Sequence, residues 1–366
     1  MSAPQPEHRG QDHAAAEAAA AAVGGEIVEQ ERHELTAPQR VQRVLHKYQA
    51  LAPLLFLLLM LVMFSFMSDR FLQPFNMSLI IQQVTVVGTL AIGQTIIILT
   101  AGIDLSVGAI TVFVSVIMAK ISSDYFGAES ALGGFAALFI GFGVGTTCGL
   151  INGLLITRLR LPPFIVTLGT LSIFFALNLY VSASTTVRGR DMDSLLTTTA
   201  GKQGTLELLD TPIPIASIGM VLMYVVMTYV LKYTAWGRHI YATGDDPEAS
   251  RLTGINVNRV LLSVYAVAGL IYGIGAWFLI GRIGAASPQV GLSYNLDTIT
   301  AVVIGGTSLF GGRGMVIGTL LGAIIVGMAR NGLSLAGVDP LWQDFTVGVL
   351  VIAAVTLDQW IRRVSA

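Results

Sequence analysis

Two segments of the sequence place residues that could do chemistry inside otherwise apolar stretches. The first, residues 87–110, contains Asp104, a carboxylate flanked by long apolar runs. Such a carboxylate is costly in lipid unless it faces a cavity, a helix N-terminus or a partner charge. Asp104 with Ser106 therefore predicts an N-cap for the following helix, and a direct part in gating or in a transport path is the alternative.

The second segment, residues 305–318, is dense in glycine and carries a single arginine, Arg313. It lacks the G-x-x-x-x-G-K-[ST] spacing of a phosphate-binding loop, so the sequence argues against nucleotide binding here. We expect a sharp re-entrant turn with Arg313 at the cytoplasmic surface.

The sequence shows neither a nucleophile paired with a base nor clustered metal ligands, so no enzyme activity, catalytic residue, cofactor or metal is expected. Four of the five histidines lie within the first 48 residues, too scattered for a metal site. Cys148 lies in an apolar stretch and is expected to be an ordinary buried side chain. A single cysteine cannot form an intramolecular disulfide, so the fold does not depend on oxidation.

Composition indicates that these segments fold in lipid. Of 366 residues, 54% are hydrophobic and 12% are charged, whereas a soluble domain carries about 25% charged residues. The net charge of −1 gives no field that would attract nucleic acid. The chain is therefore expected to be an all-α, polytopic integral membrane protein.

Apolar stretches close to the roughly 20 residues needed to cross a bilayer follow one another from residue 50 onward. They predict about ten transmembrane helices, near residues 50–68, 78–100, 105–121, 132–156, 163–184, 213–232, 260–281, 297–309, 314–332 and 341–359.

The remaining sequence suggests how this membrane domain, residues 49–366, is oriented. Residues 1–48 predict a mostly disordered tail. Arginine and lysine are more frequent in the loops that share a side with both termini, so both termini are expected to be cytoplasmic. The first apolar stretch follows this tail, so the first transmembrane helix is expected to direct insertion.

Glycines at a spacing of four residues predict tight helix–helix contacts, because small residues let helices approach closely in lipid. They are Gly141, Gly145, Gly149 and Gly153 in the fourth predicted helix, and Gly314, Gly318 and Gly322 in the ninth.

The most polar loop, residues 236–260, predicts one short amphipathic helix across the membrane face. Asp245 or Asp246 can cap it, Pro247 suits its first turn, and Gly254 can end it. The residues alone leave open whether this helix covers the membrane interface or docks a protein.

These segments together resemble the permeases of ribose-type ABC sugar importers, which include ribose, xylose, arabinose and fructose systems. Four motifs carry the resemblance in order: AIGQTIIILTAGIDLSVGAI, LPPFIVTLGTL, GDDPEASRLTGI and ITAVVIGGTSLFGGRGMVIGTLLGA. It runs from about residue 50 to the C-terminus. It implies an ABC-importer permease architecture in a bacterial inner membrane. Two permease subunits, a homodimer or close equivalent, would form one path, with two cytoplasmic ATPase domains below and a periplasmic sugar-binding protein above.

The resemblance further implies that the polar loop, about residues 236–259, is the coupling loop that docks into the ATPase. ATP hydrolysis is then supplied by a separate subunit, and the expected cargo is a monosaccharide, fructose or ribose. The matching positions are Gly244, Asp245, Pro247, Glu248, Ala249, Arg251 and Gly254.

Polar side chains within the apolar stretches are candidates for a translocation path or a gate. Each could bond a passing sugar hydroxyl, or could bond its own or a neighbouring helix. They are Gln94, Thr95, Thr100, Asp104, Thr167, Ser172 and Asn178.

Other transport classes stay open on the sequence alone. An ion-coupled secondary transporter should carry paired acidic groups deep in the membrane, whereas Asp104, Asp297 and Asp344 lie near predicted helix ends. ABC permeases for nucleosides, branched-chain amino acids or another small polar solute have related architecture, and the ribose-type motifs argue against them. Residues 184–211 could meet the binding protein or form a plain solvated loop.

Overall fold

The structure is a computed structural model that describes residues 51–362 except 129, 199–203, 209–210 and 292. The predicted tail, residues 1–48, lies outside the described residues. The helices are α1 (Leu51–Met67), α2 (Pro74–Leu99), α3 (Val107–Lys120), α4 (Ala131–Leu159), α5 (Pro163–Ser182), α6 (Ser194–Thr197), α7 (Ile215–Tyr233), α8 (Ala235–Asp245), α9 (Pro247–Leu252), α10 (Val257–Ile283), α11 (Tyr294–Ile304), α12 (Val316–Leu335) and α13 (Pro340–Arg362). The strands are β1 (Val187–Arg188), β2 (Thr205–Leu208), β3 (Thr211–Pro214) and β4 (Ala285–Ala286).

The all-α, polytopic prediction is confirmed, and each of the ten predicted apolar helices corresponds to a helix of the structure. Seven helices within the described ranges are long and apolar enough to cross a membrane. They are α2, α3 with the π-helical turn that extends it to Phe126, α4, α5, α7, α10 and α12. Helices α1 and α11 and the apolar part of α13 are shorter.

The eighth predicted helix, residues 297–309, is displaced from its counterpart α11, which begins at Tyr294 and ends at Ile304. Gly305 and Gly306 follow the helix, and the φ of Gly306 is 85°. That backbone conformation favours glycine and ends the helix. Gly311, Gly312 and Gly314 also have positive φ, so the segment after α11 is the sharp turn that the glycines predicted.

The helix predicted from the pattern of residues 244–254 is confirmed as α9, and the sequence did not predict the other helix of the polar loop, α8. The loop forms two helices, α8 and α9, which are separated at Asp246 (φ −149°, ψ 105°). The break has a local cause, because a residue before proline is pushed out of the helical region. Asp246 caps α9 as expected: its Oδ1 accepts hydrogen bonds from the backbone N–H groups of Glu248 (2.8 Å) and Ala249 (3.0 Å).

Two four-helix units, α2–α5 and α10–α13, repeat the same arrangement. In each, a long helix is followed by a break, a short helix and a further long helix. Helix α4 of the first unit packs on α10, and α12 of the second packs on α2. Helices α2 and α10 run antiparallel, because Gly93 of α2 faces Tyr272 of α10 while Gly275 of α10 faces Leu90 of α2. The two units therefore run in opposite directions. Such inverted repeats are a common architecture of transporters.

The first glycine stripe forms the contact between α4 and α10. A Cβ atom at Gly145 would lie 2.5 Å from the Gly269 carbonyl oxygen, and one at Gly149 would overlap the Tyr265 carbonyl oxygen. Gly153 also faces α10, whereas Gly141 faces Met118 of α3. Three of the four glycines therefore admit the backbone of a neighbouring helix. Cys148 is buried on the same helix, as expected.

The second stripe is only partly helical. Gly318 and Gly322 lie in α12 and leave no space for a Cβ atom beside Gly305 and Ala301. Gly314 lies two residues before α12 begins, with a φ of 150°, so its assignment to the helix is wrong.

The described parts of residues 184–211 are folded back on the molecule. Strand β1 pairs with β4, the segment after α10, with Val187 opposite Ala286. The Asp193 side chain is buried and accepts a hydrogen bond from Leu195 N–H at 2.9 Å. Two close-packed side chains, Met192 and Leu196, are also buried. This segment is therefore an ordered cap over α4 and α10 rather than a plain solvated loop.

Candidate functional site

A central polar cluster lies at the break between α2 and α3. It consists of Gln94, Asp104, Ser106, Asn152 and Tyr272, all buried. Oδ1 of Asp104 accepts from the N–H (2.7 Å) and the hydroxyl (2.6 Å) of Ser106, and Asn152 Nδ2 donates to Ser106 Oγ at 2.9 Å. The Tyr272 hydroxyl donates to Gln94 Oε1 at 3.5 Å and lies near the Asp104 carboxyl. The cluster therefore links α2, the break, α4 and α10.

The prediction that Asp104 and Ser106 cap α3 is wrong in its contacts. Ser106 occupies the N-cap position but adopts a helical conformation (φ −89°, ψ −3°), and its side chain makes no capping hydrogen bond. Its hydroxyl is instead held by Asp104 and Asn152. The Gly108 N–H in the first turn donates to Asn295 Oδ1 at 2.6 Å, across 187 residues of sequence. The two short helices α3 and α11 thus meet near their N-termini.

The other candidate path residues are buried, apart from Ser172, which is exposed. Thr95 Oγ1 lies 2.9 Å from Thr319 Oγ1, and Thr167 Oγ1 donates to the Ile103 carbonyl at 3.0 Å, so both hydroxyls bond neighbouring segments. The Thr100 hydroxyl donates to Ile97 within its own turn. These hydroxyls are already engaged in protein contacts.

The buried amides differ from the threonines because part of each remains free. Asn178 Nδ2 donates to the Pro288 carbonyl at 2.8 Å, but Asn178 Oδ1, Gln94 Nε2 and Asn152 Oδ1 have no hydrogen-bond partner. The Tyr265 hydroxyl beside the cluster is also unpaired. Buried polar groups normally find partners, so these atoms are the ones in this region best able to bond a passing hydroxyl.

A second contact region, the coupling junction, joins the polar loop to the end of α2 and to the glycine-rich turn between α11 and α12. It consists of Leu99, Tyr241, Gly244, Gly312 and Gly314. The Gly312 N–H donates to the Leu99 carbonyl at 3.0 Å. A Cβ atom at Gly244 would overlap that carbonyl oxygen and lie 2.7 Å from Gly312 N. The Tyr241 hydroxyl donates to the Gly314 carbonyl at 2.9 Å. Burial raises the pKa of Tyr241 above its ordinary value, in keeping with a hydroxyl that acts as a hydrogen-bond donor.

The seven predicted coupling positions fall into two groups. Gly244 is buried in the coupling junction, where it admits the backbone of α2. The other positions are exposed on α9 and its flanks, beside Leu252, whose exposure is 90%. Gly254 follows α9 with a φ of 88°, as a helix-ending glycine should. The exposed positions are Asp245, Pro247, Glu248, Ala249, Arg251 and Gly254.

An ion-pair network that the sequence did not predict joins α11, α12 and α13. Arg330 contacts Asp297 Oδ1 at 2.7 Å and Asp344 Oδ1 at 2.9 Å. Asn76 and Asn331 form a reciprocal amide pair beside it, at 2.9 and 2.8 Å. A single arginine therefore forms ion pairs with both of these acidic groups, which links the three helices. Within the described ranges, no His, Cys, Asp or Glu side chains group in a way that could hold a metal ion.

Comparison with known proteins finds a family and several relatives that align with most of this chain. Residues 76–355 match the family described as branched-chain amino acid transport system / permease component. The chain is 47% identical over 335 residues to the fructose import permease protein of Rhizobium meliloti, which covers 91% of this chain and 92% of the relative.

Two further relatives are more distant. The ribose import permease protein of Bacillus subtilis (strain 168) is 39% identical over 313 residues, 85% of this chain and 93% of the relative. The galactose/methyl galactoside import permease protein of Escherichia coli (strain K12) is 35% identical over 309 residues, 82% and 91% respectively. No solved structure matches significantly. The matched range holds both the central polar cluster and the coupling junction, and this chain belongs to that family of membrane permease components.

Proposed function

We propose that this chain is the permease subunit of an ABC importer that carries fructose across the bacterial inner membrane, with ribose as the second candidate. The observation that carries the proposal is the 47% identity to a fructose import permease over 91% of the chain. The relatives at lower identity include ribose and galactose import permeases. A monosaccharide therefore fits better than a branched-chain amino acid, a nucleoside or another small polar solute.

The importer would contain two copies of this chain in membrane lipid, a cytoplasmic ATPase and a periplasmic binding protein that delivers the sugar. The exposed residues of α9, with Leu252, form a surface suited to docking the ATPase. ATP hydrolysis is assigned to that separate subunit, because the glycine-rich segment lacks phosphate-loop spacing and serves here as a structural turn.

The coupling junction gives this docking a route into the membrane. A displacement of α8 must move the Leu99 end of α2 and the loop at Gly312, because no space separates their backbones at Gly244. Leu99 leads directly into the break that ends at the central polar cluster. Closure of the ATPase pair would thus shift the segment around Asp104, in keeping with alternating access by rigid-body movement.

Replacing Glu248 or Arg251 with glutamine is expected to abolish sugar uptake while the chain still inserts into the membrane. Both side chains are exposed on α9, so neither change disturbs the core. Uptake of labelled sugar and co-purification of the ATPase measure the effect. Arg158→Gln is the matched control, because Arg158 is an exposed arginine in the last turn of α4, outside the docking surface. Normal uptake in both α9 variants would remove the docking assignment.

The proposed orientation places the cap at β1 in the periplasm and α9 in the cytoplasm. A reporter fused after residue 195 is therefore expected to be active only as a periplasmic reporter, and one fused after residue 250 only as a cytoplasmic reporter. Paired alkaline phosphatase and fluorescent protein fusions at both positions measure this. The reverse pattern would overturn the orientation.

The cargo is tested by comparing labelled fructose, ribose, galactose and leucine in cells with and without the gene. We expect fructose uptake alone to be lost in the deletion and restored by the wild-type gene. Loss of leucine uptake with sugar uptake intact would contradict a monosaccharide cargo. Loss of ribose uptake instead of fructose uptake would select the second candidate.

A further inference from the structure

A cavity of about 420 Å³ opens between α8, the turn after α9 and the first two turns of α10. This volume falls in the range of small-molecule sites, roughly 300–1,000 Å³. Trp236, Ile255 and Val260 form its apolar wall. The Trp236 indole N–H donates to Ser263 Oγ at 2.8 Å, which fixes the wall in place. The cavity shares no lining residue with the central polar cluster or the coupling junction.

The cavity lining contains basic side chains and no acidic ones among its described residues. The basic side chains are His239 and Arg259. Arg259 is exposed and makes no ion pair among the described residues. The cavity also borders the N-terminal end of α10, a helix of 27 residues, whose dipole adds positive potential. A group with negative charge therefore fits this cavity.

The surroundings of the cavity indicate a membrane interface. Helix α7 ends next to it with Tyr229 and Tyr233, which are 62% and 60% exposed. Lys232 lies over the Tyr233 ring, 5.2 Å from its centroid. Exposed tyrosine, tryptophan and lysine at the end of a membrane helix mark the headgroup level. Trp236 belongs to this same group of aromatic residues and lines the cavity.

We propose that the cavity binds the phosphate headgroup of an anionic phospholipid from the leaflet next to the coupling helices. Arg259 and His239 contact the phosphate, and the wall of Trp236, Ile255 and Val260 receives the apolar part nearest the headgroup. Basic pockets between membrane helices are a known way to bind anionic headgroups. Gly254 at the end of α9 also lines the cavity, so the docking surface reaches its rim, but the position beside interfacial aromatic residues favours a lipid over an acidic side chain of the ATPase.

Native mass spectrometry of the full-length chain in detergent tests this proposal. The probes are dioleoylphosphatidylglycerol, dioleoylphosphatidylcholine and inorganic phosphate. Wild type is expected to retain phosphatidylglycerol and to bind phosphatidylcholine more weakly. Arg259→Gln is expected to weaken phosphatidylglycerol binding roughly five-fold, because this is the affinity that one basic residue contributes near an anionic membrane surface. Arg259→Lys should keep most of the affinity, which separates loss of charge from loss of folding.

The matched control is Arg158→Gln, which removes an exposed arginine. Arg158 lies at the same end of the helix pair as Arg259, because α4 and α10 run antiparallel, with Gly153 beside Leu262. This variant should bind phosphatidylglycerol as wild type does. Equal binding by wild type and the Arg259→Gln, His239→Gln double variant would overturn the proposal. Displacement of the lipid by millimolar inorganic phosphate would assign the cavity to a free anion instead. Loss of ATPase association in the double variant with unchanged lipid binding would assign it to the protein partner.

Discussion

Gly244→Val is expected to reduce sugar uptake roughly 100-fold while the chain still reaches the membrane. The side chain would have to enter the space held by the Leu99 carbonyl and the Gly312 N–H, which are backbone groups of two other segments. Such overpacking costs about 1–3 kcal/mol, and the contact with two backbone groups places this site at the upper end of the range. If that cost falls on the coupled conformation, about 3 kcal/mol corresponds to a roughly 100-fold change in its population. Because α8 joins the docking surface to these segments, the change acts on coupling. Uptake and ATPase stimulation by the loaded binding protein measure it.

Gly169→Val is the control for this experiment, because a Cβ atom at Gly169 meets no atom within 4 Å. It should transport at close to the wild-type rate. The amount and the thermal stability of the purified chain are measured for both variants. Wild-type uptake by Gly244→Val would contradict the coupling junction, and an equal loss of folded chain would reassign the defect to folding.

Gly149→Leu is expected to destabilise the membrane domain strongly and to lower the amount of folded chain. A side chain at this position would overlap the Tyr265 carbonyl oxygen of α10, and the two helices must separate to admit it. In lipid, close packing of such small residues is a main source of helix association, so separation forfeits contacts along the whole seam. Loss of the thermal unfolding transition, or a midpoint lowered by several degrees, is the expected result.

The matched control lies on the same helix. Gly143→Leu adds the same side chain where a Cβ atom meets no atom within 4 Å. It is expected to leave the unfolding midpoint nearly unchanged. Equal stability of the two leucine variants would show that the α4–α10 contact does not hold the fold together.

The helices were predictable because a membrane constrains their length and composition. All ten apolar stretches coincide with helices, and the boundary error at α11 came from counting Gly305 and Gly306 as helical. Local capping chemistry also identified Asp246 and Gly254 correctly. The sequence therefore predicted the start of α9 at Pro247, but it did not predict α8, the helix that ends just before Asp246.

The contacts that build the site could not be predicted in the same way. Asn295 caps α3 across 187 residues, and Arg330 pairs with Asp297 across 33. Neither pair shares a local sequence pattern. The arrangement of the two units brings Asn295 to α3, and the packing of α11 against α12 within the second unit brings Asp297 to Arg330. Asn152, an amide in an apolar helix, was the kind of signal that could have pointed to the central polar cluster. Gly244 was a predicted coupling position from its motif, but its place against Leu99 required the structure.

The central claim, an ATP-driven sugar permease, is tested most directly by the energy source of fructose uptake. Labelled fructose uptake is measured in cells with and without this gene, with an uncoupler added while cellular ATP is maintained. We expect uptake to depend on the gene and to survive the uncoupler. Gene-dependent uptake that collapses with the proton gradient while ATP persists would contradict the account and identify an ion-coupled transporter instead.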